Sequence, residues 1–103
     1  MSNFIYENTW EENQEAMKTK KLAIIPVGSS EQHGPALPVG TDWIIADYLA
    51  RRVGEKTDKG LVTPVFPYGH ALYHADFAGT MAVSQTTLAQ YVKEVCDCLI
   101  SYG

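Results

Sequence analysis

Three residues in one short stretch have the types and spacing to bind metal. Glu31, His33 and Asp42 lie in the run from Gly28 to Asp42, GSSEQHGPALPVGTD. Residues two apart in extended backbone point the same way, so the Glu31 carboxylate and the His33 imidazole can converge on one point. Gly34 and Gly40 permit close backbone approach, while Pro35 and Pro38 stiffen the return. Asp42 then falls in the first turn of the helix that follows. Two carboxylates and an imidazole make a mixed oxygen/nitrogen donor set suited to zinc, manganese or iron. One of two carboxylates can also bridge a pair of metals about 3.5–4 Å apart. Simpler readings stay open on spacing alone: Asp42 as a favourable charge at a helix N-terminus, Glu31 as a solvated loop residue, His33 as a hydrogen-bonded polar residue.

The elements that must position these residues alternate between helix and strand. Thr9-Trp10-Glu11-Glu12 has the form of a capping box and predicts a first helix to about Thr19. Lys21 to Val27, KLAIIPV, is short, aliphatic and not alternating, the pattern of a strand buried on both faces in a parallel sheet. The Gly28 to Gly40 loop leaves its carboxyl end, where ligands bind in such sheets. Thr41 is expected to cap a second helix, with Ile45, Tyr48, Leu49 and Val53 on one face and Gly54 ending it. Leu61 to Phe66 reads as a second strand, with Pro64 implying an edge or an interrupted ladder. Pro67 to Thr80 is a loop and Met81 to Val83 a short strand. Ser84 caps a third helix carrying Leu88, Tyr91 or Val92, Val95 and Leu99, and Gly103 stands where a C′ glycine belongs.

This is an α/β pattern, expected to form a parallel sheet flanked by helices in three layers, as a single domain over residues 1–103. Two main strands make a thin sheet, so the sheet is expected to be incomplete within this chain. The sequence has 103 residues, 46% of them apolar and 19% charged, which excludes bulk disorder. A net charge of −4 offers no footprint for a nucleic-acid backbone. No apolar run is long enough to span a membrane, and the N-terminus lacks a leader pattern, so a cytoplasmic setting is expected. Cys96 and Cys98, two apart on a helix, point to different sides and cannot share an ion.

PVGSSEQHGPALPVGTD resembles the signature of the creatininase family of metal-dependent amidohydrolases: a strand ending in P-x-G, then E-Q-H-G-P, L-P and a closing Asp. Trp10 with the first helix, Pro67-Tyr68-Gly69, and His74 followed by Phe77-Ala78-Gly79-Thr80 resemble further family segments. The resemblance implies that Glu31, His33 and Asp42 are ligands of a site for two divalent metal ions, zinc or manganese, with iron also compatible. Asp42 matches the bridging carboxylate, with Glu31 on one metal and His33 on the other. His74 matches a histidine at the edge of the site and is expected to bind substrate or to support the ligands from behind; Tyr73 and Phe77 are expected on the substrate side, with a lid over the core as the alternative for such an aromatic loop. Tyr68 is a further pocket candidate, and His70 is expected to be structural or exposed. Ala36 stands where many members have a second histidine, a departure bearing on substrate preference. Family members are longer, and their remaining ligands, a histidine in an N-G-H segment and an acidic residue, would follow Gly103.

The function this implies is hydrolysis of a small cyclic or linear amide by a hydroxide shared between two metals, with this chain supplying about half the site. No catalytic acid or base is assigned within it, and the chain alone is expected to be inactive or nearly so. A small-molecule substrate and a homo-oligomer, with a hexamer as one form, are the implied partners. The competing reading is a non-catalytic family member serving as an assembly or binding subunit. A flavodoxin-like nucleotide-binding domain is weaker, because the loop lacks the glycine spacing that cradles phosphate.

Overall fold

A computed structural model describes residues 1–103. Helix α1 (Trp10–Ala16), strand β1 (Leu22–Ile24), helix α2 (Thr41–Lys56), strand β2 (Gly60–Val62) and helix α3 (Gln85–Ser101) follow in order, with short 3-10 turns at Ile5–Glu7 and Leu72–His74. The strands pair in parallel, Leu22 with Gly60 and Ile24 with Val62. Val62 and Leu61 point to opposite faces. A Cβ on Gly54 of α2 would lie 2.4 Å from the Val62 side chain. On the other face Leu61 shares a small cavity with Met17, next to the C-terminus of α1, and with Leu99 of α3. The fold is thus the expected α/β layering around a parallel sheet.

The strands are shorter than the sequence predicts, and the prolines explain it. Pro26 has no N–H with which to extend the β1 ladder, and Pro64 has none on the facing strand. Pairing resumes at Val27 opposite Phe66, where the Gly28 N–H donates to the Phe66 carbonyl at 2.9 Å. Between the pairs Ile24–Val62 and Val27–Phe66 the register advances by one residue, a bulge on the Pro64 side. Of the two readings of Pro64, the interrupted ladder holds and the edge position does not. The Val62 N–H donates to the Asn3 carbonyl at 2.8 Å, so β2 lies between the N-terminal segment and β1, and all three of its residues are buried. The open edge belongs to β1. The expectation that the whole 21–27 strand is buried on both faces fails within this chain, where Leu22 and Val27 are exposed because nothing lies beside that strand's outer edge.

The helices show three more corrections. The α1 helix ends at Ala16, with a looser turn to Thr19, although its capping box forms: Thr9 Oγ1 accepts from the Glu12 N–H at 3.2 Å and Glu12 Oε2 from the Thr9 N–H at 2.9 Å. Thr41 begins α2 instead of capping it, and its hydroxyl donates to the Pro38 carbonyl at 2.6 Å. Gly54 does not end α2. It lies buried within a helix that continues to Lys56, because its missing side chain is what lets α2 approach β2. The face α2 buries is accordingly small, Ala50 and Gly54, while Ile45, Tyr48, Leu49 and Val53 are exposed. The Met81–Val83 strand reduces to a single pairing of Met81 with Ser30. The third helix follows expectation: Ser84 Oγ accepts from the Thr87 N–H, Leu88, Val92, Val95 and Leu99 are half-buried, and Gly103 ends it at φ +87°.

Only 13 residues are buried, and the radius of gyration is 15.4 Å where a self-contained domain of about 100 residues has about 13 Å. Apolar surface is left uncovered on β1, at Leu22, and along α2, at Ile45, Tyr48, Leu49 and Val53. No helix is long and apolar enough to cross a membrane.

Candidate metal centre

The loop after β1 folds back on itself. The Glu31 N–H donates to the Val39 carbonyl at 3.0 Å, His33 pairs with Leu37, and Gly34 turns the chain at φ +71°, a backbone region that glycine enters without cost. Glu31 and His33 thus lie on one short hairpin. Asp42 comes from α2, whose first turn rests on Gly28: a Cβ there would lie 2.4 Å from Trp43 Cα. The glycine that ends the strand sets how closely the helix can bring Asp42 to the hairpin.

One donor atom from each of Glu31, His33 and Asp42 lies within 4.8 Å of the others, and all three residues are half-buried. His33 Nδ1 is 3.0 Å from the Glu31 carbonyl oxygen. A carbonyl only accepts, so Nδ1 carries the proton and Nε2 is left to face Asp42 Oδ1 at 3.3 Å. The hydrogen bond to the Glu31 carbonyl holds the imidazole pKa above its ordinary 6.5, helped by the Asp42 and Glu31 charges and opposed by partial desolvation. Ser29 Oγ donates to Glu31 Oε2 at 3.2 Å and orients that carboxylate. The donor set fits a divalent cation: two acidic oxygens, and an imidazole whose Nδ1–H is engaged by backbone, the arrangement that aims the Nε2 lone pair at a metal.

His74 Nδ1 lies 2.8 Å from the side-chain nitrogen of Gln32, which connects it to the hairpin. Tyr73 is 80% exposed, its ring edge-on to His70 and His74, and Phe77 is 54% exposed. Tyr68 is exposed as well. His70 is half-buried against Tyr73 with its Nδ1 buried and unpartnered. Ala36 sits exposed on the hairpin tip. Sequence reasoning passed over Gln32 and Ser29. The signal for Gln32 was available: in an extended stretch, the residue between two that converge points the other way.

The creatininase (creatinine amidohydrolase) family profile matches residues 6–103. The chain belongs to the creatininase family. It is 33% identical over 87 residues to 3-dehydro-scyllo-inosose hydrolase of Thermotoga maritima, covering 84% of this chain and 28% of that protein. It is 35% identical over 85 residues to the mycofactocin precursor peptide peptidase of Mycobacterium tuberculosis, covering 74% of this chain and 34% of that protein. A solved creatininase variant of zinc–zinc type superposes with a TM-score of 0.90 at 28% identity, over all of this chain and 42% of that one. The chain spans about a third of the length of these curated relatives.

Proposed function

We propose that this creatininase-family chain works in a metal-dependent hydrolase of small cyclic or linear amides, as the N-terminal part of a creatininase-like domain. Glu31, His33 and Asp42 would hold metal, with Asp42 shared between two ions. The observation that carries the reading is the convergence of these three donors, from two separate elements, within 4.8 Å. The zinc–zinc type of the superposed creatininase supports a pair of ions, with zinc or manganese suited to these donors. When bound, such ions supply charge to polarise the amide carbonyl and to acidify an attacking water. The reaction adds water across the C–N bond, so a C–O bond forms, the C–N bond breaks and a proton passes to the leaving nitrogen. Toward this, His33 offers Nε2 while the Glu31 carbonyl keeps the other proton on Nδ1, and the hairpin strapped by Val39 holds Glu31 in place. The names of the relatives carry different substrates, 3-dehydro-scyllo-inosose in one and a precursor peptide in the other, and no single substrate follows from them. His74, Tyr73 and Phe77 are proposed at its substrate side.

We also propose a homo-oligomer, supported by the exposed apolar stripe Ile45, Tyr48, Leu49 and Val53 on α2. The same exposure is what favours the second reading, an assembly subunit without activity. Metal content of the complete creatininase-like domain after dialysis against zinc or manganese, followed by assay against creatinine, linear amides and short peptides, separates the two. Stoichiometric metal with turnover supports the hydrolase. Absence of bound metal in the folded complete domain overturns it.

A further inference from the structure

We infer that Gln32 is a positioning residue whose side-chain amide locks His74 as the Nε2–H tautomer, presenting that N–H to an acceptor oxygen of the substrate. Gln32 Oε1 accepts from the Gly34 N–H at 2.9 Å, which fixes the orientation of the amide. Its nitrogen then faces His74 Nδ1 at 2.8 Å. An amide nitrogen donates and does not accept, so Nδ1 is the acceptor and the single proton of the neutral ring lies on Nε2. Two further bonds hold the segment carrying His74 to this loop: the Gln32 N–H donates to Thr80 Oγ1 at 3.1 Å, and the Met81 N–H to the Ser30 carbonyl at 3.0 Å. Adjacent residues therefore set two histidines in opposite states. The Glu31 carbonyl makes His33 an Nδ1–H ring with a lone pair at Nε2, suited to a cation. The Gln32 amide makes His74 an Nε2–H ring, suited to an oxygen.

The substrate contact rests on the amide-hydrolase reading, whereas the tautomer lock rests on geometry alone, and the experiment separates them. Long-range proton–nitrogen NMR of the 15N-labelled, metal-free protein reads both ring nitrogens. The expected result is His74 with Nδ1 bare and Nε2 protonated. In Gln32→Glu the carboxylate can only accept, so the proton moves to Nδ1; in Gln32→Leu both tautomers are populated. A wild-type His74 protonated on Nδ1, or a Gln32→Glu ring that keeps the Nε2–H form, overturns the lock, and the wild-type spectrum decides even if a variant fails to fold. With bound metal per chain unchanged, Gln32→Glu is expected to lose about tenfold in kcat/KM for an amide substrate, the worth of one hydrogen bond to an oxygen. An inverted tautomer with unchanged kcat/KM overturns the substrate contact. A metal-loaded wild-type protein carrying the complete creatininase-like domain but without any hydrolysis overturns the amide-hydrolase reading and the contact with it, while the spectrum still judges the lock.

Discussion

Gly28, at the end of the β1 segment, and Trp43, in the first turn of α2, are in backbone contact so close that a Cβ on the glycine would lie 2.4 Å from Trp43 Cα. Backbone on one side and a helix start on the other leave no flexible atom to yield. The same contact fixes the distance between Asp42 and the hairpin carrying Glu31 and His33.

Gly28→Ala should therefore push α2 outward and separate Asp42 from His33. The expected outcome is a loss of about 1–3 kcal/mol in stability, the usual range for overpacking. Metal affinity should weaken with it. Denaturant unfolding and a zinc titration check both; unchanged affinity in a folded Gly28→Ala protein contradicts the positioning role.

The raised His33 pKa gives a pH dependence with a definite sign. In the metal-free protein, the protonated ring bonds both the Glu31 carbonyl and Asp42. A folded pKa above the ordinary 6.5 contributes stability that is fully present below that value and is lost as pH rises through the folded pKa. Metal needs Nε2 free of its proton, so affinity should rise across the same window with proton release on binding. NMR titration of His33 should place its midpoint above 6.5, and calorimetry in buffers of different ionisation enthalpy should register the released proton.

Gly54 supplies a test of the fold away from the site. Its Cβ would meet the Val62 side chain at 2.4 Å, and Val62 is fully buried. Alanine has the better helix propensity by about 1 kcal/mol, so an exposed site would gain from the change. Here the clash should win, and Gly54→Ala should destabilise by about 1–2 kcal/mol net. The double variant with Val62→Ala, which removes the colliding methyl groups, should recover part of that loss in the propensity term. Chemical denaturation of Gly54→Ala, Val62→Ala and the double variant against the wild type measures the coupling.

The donor loop was the most legible part of the sequence because its information is local. Glu31 and His33 are brought together by the two-residue period of extended chain, and Asp42 by the helix start that follows. Gly54 was misread because glycine after two arginines has the form of a helix terminus, and only the β2 partner reveals that it serves a close approach. The central place of β2 was hidden for a related reason: its second neighbour is Asn3–Phe4, far away in sequence and without a strand pattern of its own. Pro64 pointed correctly to a broken ladder, but a bulge accommodates it without an edge. The α2 stripe was recognised from its period, yet periodicity names an apolar face without saying which surface covers it. Gln32 was overlooked because its partners, His74 and Thr80, lie 42 and 48 residues away.

Asp42→Asn should damage an active, metal-loaded protein more than Glu31→Gln. If Asp42 is shared between two ions, its charge offsets both, and asparagine keeps the shape while losing that charge and one of the two oxygens. Glu31 would serve one ion, so its loss should be partly restored by excess metal. The geometry is compatible with that order. Asp42 Oδ1 and His33 Nε2 lie 3.3 Å apart and address the same point, and the Glu31 carbonyl that holds His33 Nδ1 is backbone and survives in Glu31→Gln. Removing one catalytic ion should cost several kcal/mol of transition-state stabilisation, with about 1.4 kcal/mol for each factor of ten in rate. Steady-state rates and bound-metal stoichiometry across a zinc or manganese titration distinguish the two. Near-native turnover with two ions in Asp42→Asn, beside a dead Glu31→Gln, would return Asp42 to the part of a helix N-terminal charge.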